Sequence, residues 1–193
     1  FPSLLAVISR FTSQKGLDLV AAVLPELMRL DLQVALLGAG DPALELQFQS
    51  LHMRYRSKLG VRIGFDDVLA HAIEAGADLF LMPSRYEPCG LSQLYSLRYG
   101  TVPIVRKTGG LADTVVAYTP QTAAEGRATG FAFTEARPEA LLTTILLALR
   151  VYANRAEWVS LMQAGMATDV SWAKSAGAYV ALYQRLREMR GRS

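Results

Sequence analysis

Short apolar segments alternate with amphipathic helical patterns through the first 133 residues of the chain. Most of these segments are almost continuously apolar, which is typical of parallel strands covered by helices on both faces. The succession of strand, helix and strand predicts an α/β fold with a doubly wound parallel sheet and right-handed crossovers. The predicted strands are Leu4–Ser9, Gln33–Leu37, Val61–Gly64, Asp78–Met82, Val102–Val105 and Gly130–Phe133.

Helical patterns lie between most of these strands and continue after the last one. Asp41 followed by Pro42 is typical of a helix start, with a capping side chain and a proline at the first helical position. A last apolar stripe, which begins at Trp172, is expected to dock on a neighbouring surface. We therefore predict a main unit over residues 1–170 and a C-terminal helix over residues 171–193. The earlier helices are predicted at Leu17–Leu30, Asp41–Lys58, Asp66–Gly76, Cys89–Arg98, Pro138–Ala153 and Arg155–Asp169.

Composition excludes several classes of function. Apolar residues make up 51% of the 193 residues, which is enough for a sizeable core. The net charge of +3 is too small and too scattered to indicate nucleic-acid binding. A single cysteine, Cys89, excludes an internal disulfide framework and a multi-cysteine zinc site. No apolar run approaches the ~18 residues of a membrane span. Because the chain starts at Phe1 rather than Met and a strand-like run begins already at Leu4, we expect it to be a fragment of a longer protein.

Ligands of doubly wound sheets bind outside the carboxyl ends of the strands, which directs attention to the loops at 9–16, 38–41, 83–91 and 106–111. In the first loop, Arg10 and Lys15 bracket a polar turn and can bind an anion. The alternative is that both are solvated surface cations. In the last loop, the sequence RKTGG is either an anion-binding nest of backbone N–H groups or a tight turn.

The second loop carries a glycine pair, Gly38 and Gly40, followed by Asp41. Such a turn can admit a phosphate or a nucleotide, but it lacks the last glycine of the dinucleotide fingerprint and follows the second strand rather than the first. On the motif alone we favour a turn that leads into a capped helix.

The third loop, PSRYEPCG, is the most informative stretch of the sequence. The N–H groups of Gly90, Leu91 and Ser92 are predicted to lie at a helix N-terminus, where they can seat a diphosphate. Because an anion beside an anion site is unfavourable, Glu87 is expected to face sugar hydroxyls or a developing positive charge. The alternative for Glu87 is an ordinary loop carboxylate.

Two further side chains in this stretch have competing interpretations. Tyr95 is within reach of a ribose or a base, or else belongs to the core. Cys89 is interpreted as a small buried thiol rather than a nucleophile, because no nucleophile-elbow motif surrounds it.

Together these loops resemble the C-terminal half of bacterial glycogen synthases and plant starch synthases. The resemblance rests on SRFTSQKGLDL at 9–19, LLGAGDP at 36–42, PSRYEPCGLSQLYSLRYGT at 83–101 and VRKTGGLADTV at 105–115. It implies a GT-B fold of two Rossmann-like domains that face each other across a cleft. It also implies transfer of glucose from ADP-glucose, with retention, to the non-reducing end of an α-1,4-glucan. No carboxylate cluster for Mg²⁺ lies beside the phosphate loops, so no cofactor and no metal are expected.

The resemblance also implies roles for individual residues. Arg10, Lys15 and Glu87 are the implied catalytic residues: the two cations contact the phosphates and stabilise the departing ADP, and Glu87 lies at the donor glucose. Phe65 stands where the family often has a tyrosine that stacks on adenine. The implied substrate-binding positions are Gly38, Gly40, Asp41, Phe65, Cys89, Gly90, Leu91, Ser92 and Tyr95.

The remaining expectations concern partners and alternatives. The resemblance implies a missing N-terminal domain that carries much of the acceptor site, so the fragment alone is expected to be inactive. The helix at 171–193 is expected to cross to that domain. The implied compartment is the cytoplasm, with no nucleic-acid or membrane partner. Three alternatives stay open: a GT-B enzyme that uses a UDP-sugar, a non-catalytic nucleotide- or glucan-binding module, and a nicotinamide-dependent dehydrogenase, which is disfavoured.

Overall fold

A parallel sheet forms the centre of the computed structural model, which describes residues 2–190. Within these residues the sheet has six strands in the order β3-β2-β1-β4-β5-β6, and all neighbouring strands are parallel. The predicted α/β fold and all six predicted strands are confirmed. The strands are β1 (Ser3–Ile8), β2 (Leu32–Gly38), β3 (Leu59–Ile63), β4 (Leu79–Met82), β5 (Val102–Arg106) and β6 (Phe131–Phe133).

Helices connect the strands and cover both faces of the sheet. The two short helices α5 and α6 were not predicted, because five or six residues are too few for an apolar period to stand out. The helices are α1 (Leu17–Leu27), α2 (Pro42–Arg54), α3 (Asp67–Gly76), α4 (Ser92–Tyr99), α5 (Gly109–Thr114), α6 (Pro120–Ala124), α7 (Pro138–Tyr152), α8 (Arg155–Ala167) and α9 (Trp172–Arg190).

The start of α4 corrects the sequence-based prediction. The helix was predicted from Cys89, but it begins at Ser92. Gly90 has a φ of 72°, in the left-handed region, and therefore cannot be part of a right-handed helix. Leu91 is the N-cap residue. Of the three N–H groups predicted at this helix N-terminus, that of Ser92 belongs to the first turn, and the other two precede it.

The apolar strands supply the core on both sides of the sheet because successive side chains point to opposite faces. Leu5 and Val7 of β1 belong to a large buried cluster that includes α1 and α7, whereas Ala6 between them belongs to a smaller cluster with Phe80 and Leu111. The same alternation holds along β4. The doubly covered sheet explains why the strands read as continuous apolar runs.

The last helix, α9, has no buried residue although it is 19 residues long. All described side chains of α9 are exposed, including Trp172, which is 88% exposed. Its docking surface stays a prediction, as does the division into residues 1–170 and 171–193. Phe1 and residues 191–193 of those two units lie outside the described residues. Within residues 2–190, no helix combines the length and the apolar character that a membrane span requires.

Candidate functional site

A cleft of about 280 Å³ opens at the carboxyl edge of the sheet. It is lined by the carboxyl ends of β1, β2 and β4, by the loops that follow β1, β3 and β4, and by residues of α1, α3 and α4. This is the crevice where the strand order changes direction, between β1 and β4, and such crevices bind ligands in open α/β sheets. Five of the predicted site residues line it: Arg10, Lys15, Gly38, Phe65 and Ser92.

Two of the three catalytic candidates, Lys15 and Glu87, form an ion pair at this cleft. The side chains are 18% and 9% exposed, so neither is an ordinary solvated surface charge. The hydroxyl of Ser84 also donates to Glu87 Oε2, at 3.2 Å. Lys15 and Ser84 line the cleft, and Glu87 contacts both of them. The alternative that Lys15 is a solvated surface cation is therefore wrong.

Among these five lining residues, Arg10 and Phe65 are the exposed ones. Arg10 follows β1 and is exposed, and Phe65 follows β3 with 79% of its surface exposed. Both line the cleft. The arrangement offers an accessible guanidinium and an accessible aromatic ring on one crevice, which suits an anion joined to a flat heterocycle.

The loop after β2 packs tightly against the loop after β1. A Cβ at Gly38 would overlap the carbonyl oxygen of Ser9, and a Cβ at Gly40 would also overlap backbone of the first loop. Asp41 Oδ1 accepts a hydrogen bond of 2.8 Å from an N–H in the first turn of α2. Gly40 and Asp41 do not appear among the residues that line the cleft. The geometry of this pair favours the interpretation as a tight turn and a helix cap.

The glycine pair of the fourth loop supports the loop that carries Glu87. A Cβ at Gly109 would overlap the carbonyl oxygen of Glu87, and one at Gly110 would overlap that of Cys89. The N–H of Gly110 donates to the Glu87 oxygen at 3.0 Å. The pair thus begins α5 in direct contact with the third loop, so close packing accounts for both glycines.

The other predicted site residues lie beside the cleft rather than in its lining. Cys89 is exposed, contrary to its interpretation as a buried thiol. Leu91 is exposed as well. Tyr95 is 47% exposed, so its assignment to the core is wrong, and its ring centroid lies 5.9 Å from that of His71. Gly90 adjoins Gln93, whose amide nitrogen donates to the Gly90 carbonyl at 3.0 Å.

Comparison with known proteins assigns the chain to a family. The family described as "Glycosyl transferases group 1" matches residues 2–160. The chain belongs to this family. Glycosyl transferase membership confirms the class of enzyme that the four loop segments predicted, and the dehydrogenase alternative has no support.

Individual relatives of this chain are named glycogen synthases. The chain is 55% identical over 183 residues to a glycogen synthase of Anaeromyxobacter dehalogenans (strain 2CP-C), which covers 95% of the chain and 38% of the relative. It is 51% identical over 182 residues to glycogen synthase 2 of Nitrosococcus oceani, which covers 94% of the chain and 37% of the relative. The resemblance to glycogen synthases is confirmed, and the chain spans less than two fifths of the length of these relatives.

Solved structures agree with this assignment. The catalytic domain of starch synthase IV from Arabidopsis thaliana, bound to ADP and acarbose, matches with a TM-score of 0.86 and 34% identity, over 95% of this chain and 38% of that one. Sucrose-phosphate synthase from Thermosynechococcus elongatus matches with a TM-score of 0.70 and 23% identity, over 97% of this chain and 46% of that one. The second match shows a shared fold.

Two residues that organise the loops at this cleft were missed or misread in the sequence. Arg106 was considered for an anion nest, but its guanidinium holds the third loop by donating to the carbonyl oxygens of Ser84 at 2.9 Å and Arg85 at 2.5 Å. Gln93 was not singled out, although it is fully buried and its amide nitrogen donates to the Cys89 carbonyl at 3.1 Å. No local pattern marks either role, because each depends on a loop reached through the fold.

Proposed function

We propose that this chain is the donor-binding part of a glycogen or starch synthase that uses ADP-glucose. The reaction would transfer glucose, with retention, to the non-reducing end of an α-1,4-glucan. The observation that carries the proposal is the Lys15–Glu87 pair at the crevice, with the exposed Arg10 on the same cleft. The glycogen synthase names of the relatives and the ADP bound in the starch synthase structure support it.

The two cations suit the electrostatics of this reaction. Breaking a glycosyl–phosphate bond places negative charge on the leaving diphosphate, and fixed positive charges lower the free energy of that state. Each charge-assisted hydrogen bond contributes about 1.5–3 kcal/mol. Arg10 and Lys15 together therefore outweigh the contribution of one helix dipole, about 0.3–1 kcal/mol. We assign both side chains to the phosphates of the donor.

Glu87 is assigned to the hexose. Its carboxylate is held by Lys15 and Ser84 at the edge of the cleft. In that position it can accept hydrogen bonds from sugar hydroxyls and stabilise the positive charge that develops on the ring as the bond breaks. The contact with Lys15 keeps an opposite charge between this carboxylate and the diphosphate, which reduces the repulsion between the two anions.

The nucleoside end of the donor is assigned to the other side of the crevice. Phe65 offers an exposed ring on which an adenine can stack, and Gly38 lies at the same cleft. The N–H groups of residues 90–92 are assigned to the distal phosphate, with Ser92 nearest the cleft. Contacts of Gly40, Asp41, Cys89 and Tyr95 with the donor stay predictions.

The acceptor and the full reaction belong to the whole protein. We expect the α-1,4-glucan to bind mainly to a further domain, because the chain spans 38% of its glycogen synthase relative. On this proposal the chain alone binds donor but does not transfer glucose, and the helix at 171–193 crosses to that domain. The cytoplasm, expected from the resemblance, stays a prediction.

Calorimetric titration of the chain with ADP, and separately with UDP, tests the donor assignment. We expect ADP to bind more tightly than UDP and ADP-glucose to compete with it. Lys15→Ala and Arg10→Ala should each weaken ADP binding by about tenfold or more, since each removes a charge-assisted hydrogen bond. Arg29→Ala is the matched control, because Arg29 is an exposed cation paired with Glu26 on α1. Absence of ADP binding, or a preference for UDP, would contradict the proposal.

A further inference from the structure

A second ion pair joins the third loop, which carries Glu87, to the first turn of α1, which directly follows the loop that carries Lys15. The guanidinium of Arg85, in the third loop, binds the carboxylate of Asp18, which lies 67 residues away near the start of α1. Nη1 donates to Oδ1 at 2.6 Å and Nη2 donates to Oδ2 at 2.7 Å. Two parallel hydrogen bonds of this kind fix the orientation as well as the distance of the partners.

Arg85 also holds the backbone of the first loop. Its Nη1 donates to the carbonyl oxygen of Ser13 at 2.8 Å, and its own N–H donates to that of Gln14 at 2.8 Å. In return, Gln14 Nε2 donates to the carbonyl oxygen of Tyr86 at 3.3 Å. Arg85 thus connects residues on both sides of Lys15, the catalytic candidate of the first loop.

The pair is charged, and it lies at the surface. Hydrogen bonding by the Arg85 guanidinium holds the pKa of the Asp18 carboxyl below its usual range. The two side chains are 37% and 45% exposed. Ion pairs at such exposed positions contribute little to the stability of a fold. The pair instead fixes the position of the third loop relative to the first loop and the start of α1, at the edge of the cleft.

We infer that Arg85 and Asp18 form a positioning pair that sets the separation of Lys15 and Glu87. Arg85 lies two residues before Glu87, and the backbone groups that it binds, at Ser13 and Gln14, directly precede Lys15. Neither residue lines the cleft, so they act through the two loops. The functional consequence of this inference rests on the proposed function: the pair keeps the cation and the carboxylate correctly spaced for the donor.

Amide hydrogen exchange tests the connection without any ligand. In the chain carrying Asp18→Asn, the N–H of Arg85 should exchange about tenfold faster, because the loops separate more often when the fork is lost. The N–H of Tyr118, which donates to Gly130 at 2.7 Å far along the chain, serves as the internal control and should not change. Unchanged exchange at Arg85 would overturn the inference, whether or not the chain binds nucleotide.

The ratio of AMP to ADP dissociation constants tests the consequence for the site. Arg85→Lys keeps the charge but cannot form the fork, and Asp18→Asn keeps the size but loses the charge. Each should lower the preference for ADP over AMP by about three- to tenfold, because a loop that must be ordered binds its ligand less tightly. The double variant should lose no more than either single variant.

Matched controls separate positioning from stability. Arg127→Lys and Glu125→Gln make changes of the same kind at another exposed ion pair and should leave the ratio unchanged. A purely structural role of the pair would lower AMP and ADP binding equally and leave their ratio intact, which would contradict the inference. Additive losses in the double variant would also contradict it. If the wild-type chain bound no ADP, the proposed function would be wrong, and the exchange measurement would still decide the role of the pair.

Discussion

Lys15 and Glu87 limit what each other can bind. Their opposite charges compensate each other in a partly buried position, so neither presents a full charge to the cleft. A diphosphate that reaches Lys15 must compete with the carboxylate or share the ammonium group with it. Because an ammonium group has three donors, sharing is compatible with its geometry. At the scale of single residues, donor binding therefore adds a second anionic partner to Lys15 rather than filling an empty site.

Glu74 should make the stability of the fold depend on pH. This side chain on α3 is 4% exposed, and burial raises the pKa of its carboxyl to about 7. Between pH 4.5, the reference pKa for this residue, and pH 7, the folded state keeps a proton that the unfolded state has lost. The free energy of unfolding should therefore fall by about 3 kcal/mol as the pH rises through this window. Urea denaturation at several pH values measures this fall.

Glu74→Gln tests the source of that dependence. The amide is neutral at every pH, so the free energy of unfolding of the variant should no longer fall between pH 4.5 and 7. Glu188→Gln on the exposed helix α9 should keep the wild-type slope. An unchanged slope in Glu74→Gln would show that another group causes it.

At the scale of elements, the sheet could be predicted and the contacts between loops could not. Strands such as Leu79–Met82 are continuous apolar runs, which is the local signature of a doubly covered sheet. No sequence pattern indicates that Asp18 is the partner of Arg85, because Asp18 is half-exposed and 67 residues away. The start of α4 was placed too early because the sequence does not reveal that Gly90 adopts a left-handed conformation.

The start of α2 provides a prediction at the element scale. Asp41→Ala should lower the free energy of unfolding by about 1 kcal/mol, because the first turn of α2 loses the oxygen that accepts its N–H. The free energy of unfolding of Asp41→Asn should stay within a few tenths of a kcal/mol of the wild-type value, since asparagine caps helices about as well as aspartate. Urea denaturation measures both variants.

Asp66→Ala is the matched control for the cap. Asp66 Oδ1 accepts from the N–H of Leu69 at 2.9 Å at the start of α3, so its loss should have an effect of similar size. If Asp41→Asn were as unstable as Asp41→Ala, the negative charge rather than the cap would be what α2 requires.

At the scale of the whole molecule, strand order decides which loops meet. β1 lies between β2 and β4, so the loops after all three strands end at one crevice. The loop after β1 contacts both neighbours, through the Gly38 turn on one side and the Glu87 loop on the other. A site assembled from segments this far apart in sequence depends on the complete sheet.

Helix α9 provides a prediction for the whole molecule. Because all its described side chains are exposed, removal of residues 171–193 should change the thermal midpoint by less than about 2 °C. The same truncation should remove concentration-dependent self-association, since exposed apolar side chains such as Trp172 and Tyr183 favour association. Differential scanning fluorimetry and size-exclusion chromatography over a dilution series measure the two effects.

The control for this truncation is the chain carrying Trp172→Ser and Tyr183→Ser. It should keep its thermal midpoint and lose most of the self-association. A midpoint lowered by several degrees in the truncated chain would show that α9 stabilises the rest of the fold.

The distance along the chain between Lys15 and Glu87 has a consequence for biosynthesis. The two residues are 72 positions apart, which a ribosome covers in about 4–14 s at 5–20 residues per second. During that interval the nascent chain already presents the lysine without its carboxylate partner. Because Ser84 and Ser92, which line the same cleft, are also made after Lys15, we expect nucleotide capture by the growing polypeptide to be a late event. Retention on an immobilised nucleotide would then distinguish completed chains from stalled ones.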